Sequence, residues 1–288
     1  MKEAVKTWKI LELLRVTENL FSEKGIDNPR LNAELILCRT LNTKRIDLYL
    51  DFEKPISEAE LSDYREKVKR RINREPLQYI IGETEFYGLK FKVDPSVLIP
   101  RQETELLVEK AMEIAISQKL ENPKILEVGT GSGCISISIA SKLTCQIDAI
   151  DPSNDALKTA RLNSDANGTS EKINFVKKDI LSDFDNFNGY DLIISNPPYI
   201  AKHEMETLMD EVKNFEPREA LTDNADGLVF YRKFIELANK TNGKVRMLAE
   251  IGDNKKAEVE NLLTELKIQK YEFFKDLLNI YRVVYIET

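Results

Sequence analysis

The tetrapeptide Asn196-Pro197-Pro198-Tyr199 follows the apolar run Leu192, Ile193 and Ile194. Such a run reads as a buried strand. Proline fixes φ, supplies no N–H and pushes the residue before it to an extended conformation, so the strand ends on a rigid ledge. The ledge offers the Asn196 side-chain carbonyl, the Pro197 backbone carbonyl and the Tyr199 ring. It holds no acid, base or nucleophile. Two carbonyl acceptors beside an aromatic face suit an amino or amide N–H2 group, whose two hydrogens both need partners. The competing reading is a plain turn; the strand before it favours the ledge.

A second constellation lies upstream. Residues 124–128 run into Gly129-Thr130-Gly131-Ser132-Gly133, and Ile135 onward has helical character. Glycines there allow a sharp turn and bring backbone N–H groups near a ligand at a helix N-terminus. The spacing is G-x-G-x-G. A dinucleotide fingerprint places its third glycine one residue later, where this chain has Cys134. That departure points away from NAD and towards S-adenosylmethionine, which carries no pyrophosphate. Asp151 ends the next strand, where an acidic side chain can take both hydroxyls of a ribose; helix capping is its commoner role. Asp179 and Ile180 follow the third strand, near the expected adenine position. Glu127 is an unusual residue inside a strand, and orienting the glycine loop or a methionine ammonium would account for it.

These groups need strands to present them. Strands are predicted at 124–128, 146–150, 173–176, 191–195, 244–251 and 280–287, with helices at 104–117, 153–164, 228–239 and 254–266. Alternation of this kind gives a largely parallel sheet covered on both faces, with ligands at the carboxyl ends of its strands. The first 80 residues read as helices instead. Ile10, Leu13, Leu14, Thr17, Leu20 and Phe21 share one face, with Gly25 as a stop. Leu31, Leu35, Ile36 and Leu41 make a second helix after Pro29. Ser57 caps a third, carrying Leu61, Tyr64 and Val68 to an end at Pro76. Phe86, Leu89, Phe91 and Val93 around Gly88 predict a short hairpin. The expected organisation is a helical domain over 1–82, a hairpin and linker over 83–100, and an α/β domain over 101–288.

Bulk properties exclude several classes. The 288 residues carry a net charge of −7, which disfavours unspecific binding to a nucleic-acid backbone. Lys67, Lys69, Arg70, Arg71 and Arg74 are a local exception, read as a solvated helix face or, less readily, as a docking patch. No apolar stretch is long enough to span a membrane, and the start lacks a signal core, so a cytoplasmic protein is expected. Cys38, Cys134 and Cys145 are scattered and read as buried reduced thiols. His203 is the single histidine, which excludes a multi-histidine metal site; no metal is expected. Arg101 and Glu103 sit in the linker, where closure over a donor, an interdomain salt bridge and a helix start compete.

Together these segments resemble the HemK/PrmC family, the glutamine N5-methyltransferases of peptide-chain release factors. The resemblance is carried by Arg74-Glu-Pro-Leu-Gln-Tyr-Ile-Ile-Gly82, Glu85-Phe-Tyr-Gly-Leu89, Val97-Leu-Ile-Pro-Arg-Gln-Glu-Thr-Glu105, the glycine loop, Asn196–Ile200, Glu216-Pro-Arg-Glu-Ala-Leu221, Asp226-Gly-Leu228, Glu250-Ile-Gly252, and Lys275-Asp-Leu277 with Arg282. It implies a seven-stranded class I, Rossmann-like methyltransferase fold behind a small helical domain and a β-hairpin. It also implies S-adenosylmethionine as donor and the glutamine of a release factor's Gly-Gly-Gln loop as acceptor. By the same resemblance Gly129, Thr130, Gly131, Ser132, Gly133, Asp151 and Asn196 contact the donor, and Asn196, Pro197, Pro198 and Tyr199 hold the glutamine amide; Glu127, Asp179 and Ile180 join the donor set from their positions in the strands. Glu127 stands where an aspartate is usual, Ile180 where an aromatic can occur and Gln102 where proline is common. A ribosomal-protein glutamine methyltransferase, an adenine N6-methyltransferase, a non-catalytic binding module and an NAD-linked oxidoreductase are the alternatives.

Overall fold

The computed structural model describes residues 7–288. The chain forms two compact units, one of residues up to Gly82 together with Asp210–Phe215, the other of Glu83–Met209 and Glu216–Thr288.

The first unit is helical. In α1 (Ile10–Glu23) the buried residues are Ile10, Leu13, Leu14, Thr17 and Phe21, as the spacing predicts. Proline opens α2 (Pro29–Leu41) at its first turn, where its missing N–H costs nothing. The buried face of α2 differs from the expected one. Asn32, Ala33, Glu34, Ile36 and Leu37 point inward, while Leu31 is 37% exposed. Polar residues take the inward face because they have partners there. Glu34 accepts from Arg30 Nε at 2.5 Å, from Arg45 Nη2 at 2.6 Å and from the Tyr49 hydroxyl. Burial opposes its charge, yet Tyr49, Arg45 and Arg30 together hold its carboxyl below the ordinary value. Arg45 and Tyr49 come from α3 (Arg45–Leu50), a six-residue helix too short to show a period.

Ser57 caps α4 (Glu58–Ile72) in a capping box with Glu60. That helix stops at Ile72, and Pro76 instead leads into α5 (Leu77–Ile81). The basic cluster is largely consumed by the fold. Lys67 pairs with Asp63, and Arg70 with Glu75. Arg71, 5% exposed, donates to Asn32 Oδ1 at 2.7 Å, to the Glu75 carbonyl at 2.9 Å and to Glu211 at 2.8 Å. Arg74 donates to the carbonyls of Gly25 and Lys24. Only Arg71 of this run is buried, and Lys69 is exposed.

The second unit opens with an antiparallel hairpin of β1 (Glu83–Phe86) and β2 (Leu89–Lys92). Tyr87 and Gly88 turn it with φ of 52° and 71°, the positive pair that matches strand twist in a two-residue turn. A 3₁₀ turn at Gln102–Thr104 then leads into α6 (Glu105–Ser117). From there β3 (Lys124–Val128), α7 (Cys134–Lys142), β4 (Gln146–Asp151), α8 (Asn154–Ala166), β5 (Ile173–Lys177) and β6 (Leu192–Ser195) follow in turn. The chain continues through α9 (Asp210–Phe215, counted with the first unit), α10 (Arg218–Leu221), α11 (Val229–Asn239), β7 (Arg246–Glu250), α12 (Lys256–Glu265), β8 (Lys270–Lys275) and β9 (Tyr281–Glu287).

The sheet has seven strands in the order β5-β4-β3-β6-β7-β9-β8. The pairs from β5 to β7 are parallel, and β9 runs antiparallel to both neighbours. Sequence order reverses between β3 and β6, the crevice where open α/β sheets bind ligands. The sequence reading has no strand at 270–275. Lys270, Glu272 and Lys275 there are exposed, with half-buried aromatics between them, so an edge strand lacks the apolar run of a central one. Two apolar clusters cover the sheet. One holds α11 and α12 residues such as Phe234 and Val259; the other holds α6 and α7 residues with Phe86 and Phe91 of the hairpin.

Candidate active site

At the carboxyl ends of β3, β4, β5 and β6 the second unit holds a cavity of about 650 Å³. Gly129, Thr130, Gly131, Ser132, Asp151, Asp179, Ile180, Asn196 and Pro198 all line it. Glu127, Gly133, Pro197 and Tyr199 do not, and each has a visible reason.

The loop glycines divide their work. Gly129 and Gly131 have φ of 73° and 54°, and an added Cβ would meet nothing within 4 Å at either. Gly133 faces inward, where a Cβ would lie 2.9 Å from Ile137 and 3.3 Å from Ala160. It allows α7 and α8 to close. The loop's N–H groups are mostly spent at home. Gly129 and Thr130 both donate to the Ile150 carbonyl, Gly131 to Asp151, and Gly133 to the Thr130 carbonyl. This corrects the expectation that the loop aims its N–H groups at a ligand, and it removes the cradle a pyrophosphate would need.

Glu127 lies beneath that loop, 1% exposed. Thr130 Oγ1 donates to its Oε2 at 2.6 Å, while Oε1 has no partner among the described residues. Burial pushes the carboxyl up to about 7, against the stabilising hydroxyls of Ser136 and Thr130. Its bond from Thr130 orients the loop. Asp151 accepts from Gly131 N–H at 3.0 Å and from Ser153 N–H at 2.9 Å. Each oxygen keeps a lone pair for a further donor. Asp179 caps its own turn through Leu181 N–H at 2.9 Å, with buried Ile180 as the adjacent wall.

On the ledge, Asn196 Nδ2 donates to Thr104 Oγ1 at 3.3 Å. No hydrogen bond among the described residues uses Asn196 Oδ1. Pro197 is buried beneath. Tyr199 turns away from the cavity, and its hydroxyl donates to Glu250 Oε1 at 3.3 Å. Its backbone carbonyl leaves no room for a Cβ at Gly227, and its ring leaves none at Gly252. Those contacts explain two glycines that the sequence shows only as parts of segments.

Other site residues carry little local signal. Arg101 and Thr104 line the cavity from the linker. Arg101 pairs with buried Glu216, which also accepts the Ile99 N–H at 3.2 Å; both partners belong to the second unit, so the bridge is not interdomain. Asn163, fully buried, donates to the Ser132 carbonyl at 2.9 Å and exchanges bonds with the Lys92 backbone, tying the hairpin to the glycine loop. His203 is exposed and outside the cavity. Cys134 and Cys145 are buried and Cys38 half-buried, all as free thiols. Burial raises the Cys134 thiol to about 12, which leaves it inert. Among the described residues no His, Cys, Asp and Glu cluster could hold a metal ion, and no helix is long and apolar enough to cross a membrane.

The mixed seven-stranded sheet, the glycine loop without a phosphate cradle and the proline ledge define a class I methyltransferase. The hMettl16 catalytic domain, solved with the MAT2A 3′UTR hairpin 6, superposes with a TM-score of 0.55 at 16% identity, covering 81% of this chain and 84% of its own. That likeness is one of fold. Family profiles match as the PrmC N-terminal domain over residues 12–82 and the methyltransferase small domain over residues 102–259. A release factor glutamine methyltransferase of Chlorobaculum tepidum is 46% identical over 266 residues, 90% of each chain. One from Thermodesulfovibrio yellowstonii is 39% identical over 285 residues, 97% of this chain and 98% of its own. The chain belongs to the release factor glutamine methyltransferase family.

Proposed function

We propose that this enzyme methylates the side-chain amide nitrogen (N5) of the glutamine in the Gly-Gly-Gln motif of class 1 peptide-chain release factors. Beyond family membership, the observation that carries the reading is the Asn196 amide. Its N–H is committed to Thr104, so its carbonyl is left to accept. A primary amide nitrogen is a poor nucleophile, because its lone pair is delocalised into the carbonyl. Asn196 Oδ1 and the Pro197 carbonyl accept the two amide hydrogens, aim the nitrogen into the cavity and favour the positive charge that develops on it. Hydrogen bonds to charged groups are worth about 1.5–3 kcal/mol each. Pro198 supports the ledge, and Tyr199 braces it through its ring contact with Gly252 and its hydroxyl bond to Glu250.

The donor is S-adenosylmethionine, which supplies an electrophilic methyl group on sulfonium when bound. The residues present fit it. Gly129 and Gly131 keep the cavity wall free of side chains, Asp151 retains acceptors for ribose hydroxyls, and Asp179 with Ile180 offers a polar edge and an apolar wall for adenine. Thr130 and Ser132 complete the methionine side, and Gly133 and Glu127 act through the loop. The helical unit up to Gly82 is assigned to substrate docking. Neither nucleic acid nor a membrane is an expected partner, which fits the net charge of −7 and a place in the cytoplasm.

Incubation with labelled donor and either a release factor or its Gln→Ala variant, followed by mass spectrometry, tests the reading. Label on the glutamine of the first and none on the second is expected. Label on nucleic acid or a ribosomal protein instead would overturn it.

A further inference from the structure

One buried amide in α8 reaches two segments that lie far apart in the chain. Asn163 is fully buried, on the inward face of the helix with Thr159 and Ala160. Its Nδ2 donates to the Ser132 carbonyl at 2.9 Å and to the Lys92 carbonyl at 3.0 Å. Its Oδ1 accepts the Lys92 N–H at 2.7 Å.

Those bonds fix the amide. A primary amide has two N–H donors and one carbonyl, and all are engaged. Lys92 offers its own N–H and C=O to the side chain, which pairs with the end of β2 as a further strand would. A flipped amide would set N–H against the Lys92 N–H and C=O against two carbonyls, so the backbone dictates the orientation. The N–H left over is the one that holds Ser132. That contact is buried, and a buried carbonyl that turns away from its donor leaves both groups unpaired at a cost.

We propose that Asn163 is a positioning residue for donor binding, holding the Ser132 peptide in the orientation that the methionine side of the donor meets and locking it to the hairpin. This rests on the donor reading of the cavity given above.

The neighbours of Asn163 along the helix separate this role from plain support of the hairpin. Thr159, one turn earlier, donates to Asp94 Oδ2 at 3.4 Å, and Asn167, one turn later, donates to the Lys90 carbonyl at 3.0 Å. Both secure the segment that Lys92 belongs to, and among the described residues neither bonds to the glycine loop. Asn163 alone of the three joins the two. Past the hairpin the same segment becomes cavity wall, since Ser96, Val97 and Leu98 line the space that Ser132 lines. Coupling between sites is reciprocal, so a donor seated against Ser132 steadies the hairpin as the hairpin steadies the loop.

The test sets Asn163→Leu, which keeps the size and removes all three bonds, beside Asn167→Ala, which loosens the hairpin and leaves the glycine loop alone. Calorimetric affinity for S-adenosylhomocysteine, the demethylated donor, is measured together with KM for the release factor and thermal melts. Misplacement caused by a change remote from the chemistry costs up to about 100-fold, so Asn163→Leu should weaken that affinity by ~10–100-fold while the release-factor KM stays within ~2-fold. Asn167→Ala should bind S-adenosylhomocysteine as the wild type does, even where its melting temperature falls. Wild-type affinity in Asn163→Leu, or an equal loss in both variants, overturns the inference. Hydrogen exchange reads the coupling in the wild type whether or not the leucine variant folds. S-adenosylhomocysteine, once bound, should slow exchange across residues 83–92, and unchanged exchange there overturns the inference. Wild-type enzyme that binds no S-adenosylhomocysteine would defeat the donor reading instead. Exchange of the amides of residues 129–133 without ligand then decides this one: faster in Asn163→Leu but not in Asn167→Ala supports the positioning role, and equal rates in all three proteins overturn it.

Discussion

The Tyr199 ring packs on the backbone of Gly252 so closely that a Cβ there would lie 2.8 Å from ring Cδ2 and 3.1 Å from Cε2. Gly252 is therefore part of the seat of the ledge. Overpacking of this kind typically costs about 1–3 kcal/mol, and here the ring is the part that can give. Gly252→Ala should lower turnover by ~10-fold or more at unchanged donor affinity, read by steady-state kinetics and calorimetry. Gly227→Ala should mainly lower the melting temperature, since its Cβ would meet the Tyr199 carbonyl oxygen at 2.3 Å and its φ is 83°.

Asn196→Ala removes the side-chain acceptor and leaves the glycine loop intact. Deleting one preorganised hydrogen-bonding group costs on the order of 10²–10³ in turnover, and that loss is expected with donor binding retained. Near-normal turnover in the variant would refute the role given to Asn196.

Asp151 is bonded to the loop N–H of Gly131 and to Ser153 N–H. Asp151→Ala should weaken donor binding by at least ~10-fold, because hydrogen bonds to a charged group are worth about 1.5–3 kcal/mol each. Isothermal calorimetry reads this directly; an unchanged affinity would remove the ribose assignment.

Stability should fall as pH rises from about 4.5 to about 7. Burial raises Glu127 and Glu250 to about 7 in the folded protein, above the unfolded value near 4.5. Within that window the folded state binds more protons than the unfolded state, so each group lowers stability with rising pH, by at most about 1.4 kcal/mol per pH unit. Glu287 and Asp226 are depressed to about 2, so their contributions are lost only at lower pH. Glu250→Gln should flatten the slope of melting temperature against pH; an identical slope would show that the carboxyl does not titrate there.

Arg71 and Lys69 offer a contrast within one basic run. Arg71→Met strands Asn32 and Glu211 and should cost about 3 kcal/mol in denaturant unfolding, the scale of a broken buried pair. Lys69→Ala, at an exposed position, should stay within about 0.5 kcal/mol. Equal effects would mean that Arg71 is not the structural residue its bonds imply.

What the chain alone determined was local. Strand–glycine–helix order, prolines after an apolar run and acidic residues at strand ends each have a cause within a few residues. They located Gly129 to Gly133, Asp151, Asp179 and the ledge, of which most line one cavity. The strand at 270–275 is not legible because an edge strand buries only part of its side chains, and the inward face of α2 departs from its apolar spacing because Glu34 pairs with Arg30 and Arg45 and accepts the Tyr49 hydroxyl. Tertiary structure alone decided which lone pair is free. Asn196 meets Thr104 across 92 positions, Arg101 meets Glu216 across 115, and Tyr199 meets Glu250 across 51. A hydrogen bond depends on distance and angle in space, and neither is written in composition or period.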